Sequence, residues 1–176
     1  MILLFLLMDS VAKIPHPCNF ERRLRIAEVL FVTCARFAII TRGYNRHTMC
    51  RWCDEPAPTL LLDGTRQFNH GDYFEQHETF ERLWKEERRE IRKLYQGILQ
   101  IGVAMYHLQN CNHHGAVYML RRGSMYLEAF APHCQSVDVA NLLVQASRIL
   151  QVVERLGPAK LKQFDWGLAP RIRLTE

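Results

Sequence analysis

Apolar side chains recur at helical spacing through most of the chain after residue 58, and this pattern predicts an all-α fold. The segment after Glu90 is apolar nearly all round, which is typical of a central, buried helix. No alternating strand pattern of useful length is present. We therefore expect a compact bundle of about four to five helices in a single domain. The first predicted helix is capped by Asn69 or Asp72 and runs to about 89. The others span about 90–109, 114–130, 136–156 and 159–164, and Ser136 and Gly157 are the predicted caps of the helix at 136–156.

Residues 1–57 differ from the rest and are interpreted as an N-terminal extension of a helical domain at 58–172. They carry four of the six cysteines and one amphipathic pattern, at about 20–40. Pro56 and Pro58 predict an extended linker before the domain. We hypothesise that this leader is peripheral, or that Met49 is the true initiator.

The bulk composition is that of an ordinary globular protein, with 48% hydrophobic and 23% charged residues and a net charge of +5. The basic residues are scattered, and the short basic run at 88–93 contains acidic neighbours. Nucleic acid is therefore an unlikely partner, and a helix face with i,i+4 ion pairs is the better explanation of that run. The opening run MILLFLLM is too short to span a bilayer, so no membrane association is expected.

The six cysteines show no framework spacing. We expect reduced thiols in a cytoplasmic protein. Cys50-x-x-Cys53 is the one pair with metal or redox spacing, and a single pair of this kind is a weak signal.

The run FNHGDYFEQHETFERLW (68–84) places a histidine and carboxylates among aromatic residues. With Tyr73 at zero on a helix of about 100° per residue, Trp84 falls at about 20°, His77 at about 40° and Glu81 at about 80°. His77 is therefore predicted on the core-facing stripe and Glu81 on its edge. Glu78, at about 140°, flanks that face.

A line of polar side chains on the next helix, Gln96, Gln100 and His107, falls within about 60°. Buried amides and imidazoles need hydrogen-bond partners. We therefore expect this line to face His77 and the carboxylates, with Asn112 at the following turn closing the ring.

Two interpretations of this cluster remain open. In the first, it is a pocket that binds a divalent metal ion or a small ligand, with a hydrolase-like reaction as one version. In the second, the protein is a non-catalytic scaffold and the cluster is a structural hydrogen-bond network. His-Glu-x-x-Glu differs from the zincin signature, so peptidase chemistry is not inferred. The sequence leaves the cofactor, a protein partner and homo-oligomerisation undetermined. In the first interpretation the acid/base groups are His77, Glu78 and Glu81, the metal ligands are His77 and Glu81, and the ligand-binding residues are Tyr73, Trp84, Gln96, Gln100, His107 and Asn112.

Three segments resemble the DUF309 family, a domain of unknown function: FNHGDYFEQHETFERLW, YQGILQIGVAMYHLQ (95–109) and NHHGAVYMLRRGSMYLE (112–128). The resemblance implies a small all-helical fold and carries no established activity. Cys111 departs from the family pattern, which has glycine before the asparagine of this turn. The family pattern stresses Phe68, Asn69, Gly71, Tyr73, Phe74, His77, Glu78, Glu81, Trp84, Gln96, Gly97, Gln100, His107, Asn112, Gly115 and Ala116.

Overall fold

A computed structural model describes residues 50–175, which lie in one compact unit. The predicted helix at 20–40, the proposed start at Met49 and most of the predicted extension lie outside the described residues. The boundary at residue 58 stays a prediction.

The described residues form an all-α domain, as predicted. An antiparallel hairpin of two strands with two residues each, β1 (His133–Cys134) and β2 (Val137–Asp138), precedes the last long helix. Short 3-10 helices at Glu128–Phe130, Pro158–Gln163 and Trp166–Leu168 complete the domain. The α-helices are α1 (Thr59–His70), α2 (Tyr73–Glu86), α3 (Arg92–Gln109), α4 (His113–Leu127) and α5 (Val139–Leu156).

Helix α1 was not predicted, because its sequence lacks the usual start signal. Pro58 occupies the N-cap position without a side-chain hydrogen bond. Gly64, which disfavours helix in isolation, is required by packing: a Cβ there would lie 2.6 Å from Cε2 of Phe80 on α2. Gly71 then separates the two helices with a left-handed φ of 94°. Residues 59–86 therefore form two consecutive helices, whereas the sequence predicted only one helix in this segment.

Helix α2 ends three residues earlier than predicted. The Oε1 atom of Glu87 accepts hydrogen bonds from the backbone N–H groups of Arg88 and Arg89, at 2.8 Å each. The Arg89 guanidinium binds the carboxylates of Glu87 and Glu55, also at 2.8 Å. The basic run therefore begins in a loop fixed by ion pairs, and the predicted i,i+4 pairs along a helix face are wrong for this part of it.

Helix α3 is buried on nearly all sides, as predicted, and packs closely against α4. A Cβ at Gly97 would lie 2.7 Å from Leu127, and one at Gly123 would lie 2.9 Å from the carbonyl oxygen of Gly97. The small residues therefore permit the close approach of these two helices.

The N-cap of α5 is Asp138 rather than the predicted Ser136. Its Oδ1 atom accepts a hydrogen bond from the Asn141 N–H at 2.9 Å. Gly157 ends the helix as expected, with a φ of 63°.

Of the two predicted cap candidates for the first helix, Asp72 occupies the N-cap position of α2, without a side-chain hydrogen bond. The side chain of Asn69 instead binds the backbone N–H and C=O of Ile172 and so holds the C-terminal tail against α1.

The prediction that all cysteines are reduced is wrong. Cys53 and Cys134, 81 residues apart, form a buried disulfide. Sequence spacing could not show this pair, because it is brought together only when the β-hairpin folds beside the segment before α1. The backbone N–H of Gln135 also donates to the carbonyl oxygen of Cys53 at 2.7 Å.

Candidate functional site at the α2–α3 interface

The buried stripe of α2 differs from the predicted one. It consists of Tyr73, Gln76, Phe80 and Leu83. His77, which was predicted at the centre of the core-facing stripe, is instead half-buried beside it. The buried stripe is covered by two neighbours: Phe80 packs on Gly64 of α1, and Gln76 packs on Gly102 of α3.

The remaining predicted residues of α2 divide by exposure. Glu81 and Trp84 are half-buried and share an edge of the helix with His77, one and two turns away. Glu78 is exposed, as a residue flanking the core face should be. Tyr73 is buried and stacks edge-on against Phe68, with ring centroids 5.8 Å apart. Burial raises the pKa of its hydroxyl.

Three contacts define how α2 lies on α3. The Arg92 guanidinium covers the Trp84 ring at 5.0 Å, and the Phe74 ring lies 6.2 Å from that of Tyr106. Between them, Gln76 packs on the backbone of Gly102, where a Cβ would lie 1.8 Å from Oε1 of Gln76. The contacts run in opposite order along the two helices, so α2 and α3 are antiparallel.

The predicted polar line on α3 is only partly turned toward α2. Gln96 follows Arg92 by one turn and lies on the edge that carries Trp84. Gln100 and His107 lie about 160° and 140° around the helix from Gly102. No hydrogen bond joins His77 to Gln96, Gln100 or His107 within the described residues, so the predicted facing arrangement is not found for Gln100 and His107.

His107 and Asn112 form a separate unit at the turn between α3 and α4. The Asn112 Oδ1 atom caps α4 by accepting from the Gly115 N–H at 2.9 Å. Its Nδ2 atom donates to Nδ1 of His107 at 3.2 Å, which places the histidine proton on Nε2. A Cβ at Gly115 would lie 2.8 Å from the His107 ring. Burial lowers the pKa of His107. His107 and Asn112 are therefore parts of a packed turn.

His77 is held in its neutral form by its surroundings. Desolvation lowers the pKa of the imidazole and outweighs the carboxylates of Glu81 and Glu78, which raise it. The Glu81 carboxylate is itself paired with Lys85, with Oε2 and Nζ 3.1 Å apart. Lys85 also lowers the pKa of His77. A neutral, half-buried imidazole with a nearby carboxylate is a hydrogen-bonding group that can also accept a proton.

Several buried polar groups of these helices have no hydrogen-bond partner among the side chains and backbone of residues 50–175. Both carboxamide atoms of Gln76 and of Gln100 are in this state, and both side chains are fully buried. The indole N–H of Trp84 is also buried and unpaired. Leaving such a group unpaired costs about 1–3 kcal/mol. Gln76 was missed by the sequence analysis, although its spacing of three and four residues from Tyr73 and Phe80 places it on the stripe that these aromatic residues define.

Metal-binding potential is limited within residues 50–175. In that range no group of three or more His, Cys, Asp or Glu side chains is placed to hold a metal ion. His77 and Glu81, the predicted ligands, are therefore a pair without a third member among these residues. In the same range, no helix is both long enough and apolar enough to cross a membrane.

The fold and the polar groups inside it define an all-α domain with a partly unsatisfied interface between two antiparallel helices. Residues 61–119 match the family DUF309, described as a domain of unknown function, and the resemblance drawn from the sequence is thereby confirmed. The matched residues include α2, α3 and the turn that carries Asn112.

A relative in Bacillus subtilis (strain 168), the uncharacterized protein YpuF, is 41% identical to this chain over 99 residues. The similarity covers 55% of this chain and 54% of that protein. The chain therefore spans about half the length of this curated relative.

Proposed function

We propose that this protein is a cytoplasmic ligand-binding domain whose site lies along the edge between α2 and α3. In this proposal His77, Glu81 and Trp84 bind the ligand from α2 and Gln96 binds it from α3, while Gln100, which faces away from α2, lies outside the site. Tyr73 supports the site from the core, while His107 and Asn112 hold the turn between α3 and α4.

The observation that carries the proposal is the set of buried polar groups without partners. A structural network would pair its members, as Tyr95 and Gln135 are paired elsewhere in the domain at 2.8 Å. Gln76, which lies at this interface, and Trp84 lack such pairs among the described residues. A ligand that supplied partners to these groups would recover part of the free energy that their burial costs.

The chemistry of the unpaired groups favours a neutral polar ligand. A carboxamide offers a donor and an acceptor side by side, and an amide or lactam presents the complementary pair. The neutral imidazole of His77 adds either a donor or an acceptor, and the Trp84 indole adds a donor. We therefore propose ligands with an amide, ureide or lactam group.

A hydrolase-like reaction is the catalytic version of this proposal. His77 is the group suited to accept a proton, because its lowered pKa keeps the imidazole neutral near pH 7. Glu81 would orient the imidazole or the substrate from one turn away. Glu78 is exposed and would act only if the substrate extended past the edge of α2.

A divalent metal ion is the weaker version. A zinc site takes three or four protein ligands, and His77 and Glu81 supply two. Among the described residues, no third His, Cys, Asp or Glu joins them.

A second candidate function, a non-catalytic scaffold, is favoured by the turn between α3 and α4. There the predicted site residues His107 and Asn112 bind each other and cap a helix. If the whole cluster behaved in this way, it would fix helix register and bind no ligand.

Thermal unfolding with small probes distinguishes these functions. We expect acetamide or 2-pyrrolidinone to raise the melting temperature of the wild-type chain in a saturable way. The shift should be lost in His77→Ala and kept in His133→Ala, which changes an exposed histidine. Equal shifts in both variants would remove His77 from the site. A saturable shift with Zn²⁺ or Mn²⁺ and none with either amide would favour the metal version instead.

A further inference from the structure

A tight turn and a disulfide connect three cysteines of the described residues. Cys50 and Cys53 lie in one tight turn, where the Cys53 N–H donates to the carbonyl oxygen of Cys50 at 2.8 Å. Cys53 is joined to Cys134 by the disulfide, and Cys50 carries a half-buried free thiol. The Cys-x-x-Cys pair that the sequence singled out is therefore divided between one oxidised and one reduced residue.

The turn makes Cys50 a competing partner for Cys53. Residues three apart in a β-turn have Cα atoms closer than about 7 Å. Disulfides need a Cα separation of about 4.4–6.8 Å, so the two cysteines of this turn can be joined with little movement of the backbone. Cys53 can bond to Cys50 or to Cys134, but not to both.

We propose that Cys50, Cys53 and Cys134 form a thiol–disulfide exchange site. The Cys50 thiolate attacks Sγ of Cys53, the Cys50–Cys53 bond forms, and the Cys53–Cys134 bond breaks. The electron pair of the broken bond leaves on Sγ of Cys134, which takes up a proton equal to the one that Cys50 released. The exchange is an isomerisation and requires no external oxidant or reductant.

The surrounding contacts allow this exchange without release of the segment. The carbonyl oxygen of Cys53 is held by the Gln135 N–H at 2.7 Å. Glu55 is bound to Arg89 at 2.8 Å, and the Arg89 guanidinium lies 5.9 Å from the Trp52 ring. The turn is therefore kept beside Cys134 when the covalent bond moves, which makes the reverse step equally accessible.

Burial determines which of the two possible disulfides a reductant in solution can reach. Cys134 is 1% exposed and Cys53 6% exposed, so a small reductant in solution has poor access to their bond. Cys50 is half-buried and lies at the accessible end of the group. Exchange would bring the disulfide to that end, where a dithiol protein or glutathione can reduce it. A disulfide in a cytoplasmic protein is usually transient and redox-sensing, which agrees with this role.

Trypsin separates the three cysteines and makes the exchange measurable. Cleavage at arginine places Cys50 in peptide 47–51, Cys53 in peptide 52–66 and Cys134 in peptide 123–148. The full chain is equilibrated over a series of reduced-to-oxidised glutathione ratios, its free thiols are blocked at low pH, and the linked peptides are identified by mass spectrometry.

We expect the wild-type chain to contain both the 52–66/123–148 and the 47–51/52–66 links. Cys134→Ser should contain only the second link, and Cys50→Ser, the matched control, only the first. Complete blocking of Cys50 at every glutathione ratio in the wild-type chain would overturn the proposal. So would a Cys134→Ser variant that melts cooperatively with Cys50 and Cys53 both blocked. If that variant does not melt cooperatively, the glutathione series on the wild-type chain alone tests the proposal.

Discussion

Replacing the carboxamide of Gln100 with an apolar side chain of similar length is expected to stabilise this protein. Gln100 is fully buried on α3, and neither its Oε1 nor its Nε2 atom has a hydrogen-bond partner. In Gln100→Met the thioether would occupy similar space without a polar group that has to be desolvated. Removal of this unpaired group should therefore return free energy to the fold.

The magnitude follows from the burial of Gln100. An unpaired buried polar group costs about 1–3 kcal/mol, so Gln100→Met should raise the free energy of unfolding by about that amount. For a chain of this size, each kcal/mol corresponds to about 2–4 °C in melting temperature.

The matched control is Tyr95→Phe, which acts on a buried pair that is satisfied. The Tyr95 hydroxyl donates to Oε1 of Gln135 at 2.8 Å, so its removal leaves a buried acceptor unpaired. We expect a loss of about 1–3 kcal/mol in that variant. Both variants are compared with the wild-type chain by urea unfolding at pH 7.5. If Gln100→Met lost as much stability as Tyr95→Phe, the carboxamide would be paired in solution and the cluster would be structural.

Three further predictions test other parts of the account. Asn112→Ala should lose about 1–2 kcal/mol in urea unfolding, because it removes the cap of α4 and the partner of His107, and an unchanged midpoint would contradict that role. The folded pKa of His77 and of His107 lies below the unfolded value, so stability should be constant above about pH 7 and fall as the pH drops below about 6.5. His77→Gln should flatten part of that fall, and an unchanged pH profile would show that burial does not depress its pKa. Gly102→Ala should be destabilised by about 1–3 kcal/mol because the added Cβ would clash with Gln76. Gln76→Ala in the same chain should restore part of this loss, and purely additive effects of the two substitutions would argue against the contact.

Helical periodicity was sufficient to predict most of the fold. The patterns around α3 and α5 gave their extents to within a few residues, because each carries a long apolar face and ends at a clear signal such as Gly157. Helix α1 was missed because tertiary packing of Gly64 against Phe80 overrides its weak local signals. The disulfide was missed because sequence spacing holds no information on contacts 81 residues apart.

The candidate site was harder to predict than the fold. Helical phase placed Glu81 at the edge of the core-facing stripe, where the structure has it half-buried. It placed His77 in the middle of that stripe, but the structure has Gln76 in the core instead, packed against Gly102 of α3. One sequence pattern therefore contained both binding candidates and structural residues.

The mixture is clearest on α3. Gln100 and His107 share a face of this helix, yet His107 is paired with Asn112 and Gln100 is unpaired. Both are buried polar residues on the same helical face, so the sequence pattern does not distinguish them. Only the identity of the neighbours separates a packed turn from an unpaired group.

The most direct test of a site between α2 and α3 is a ¹H–¹⁵N NMR titration of the full chain with 2-pyrrolidinone. The chain has three tryptophans, so the indole N–H signals of Trp52 and Trp166 serve as internal controls for that of Trp84. We predict that the Trp84 indole and the Gln76 side-chain amide shift together and saturate, while the two control indoles do not move. Unchanged Trp84 and Gln76 signals, or equal shifts at all three indoles, would contradict a binding site at this interface.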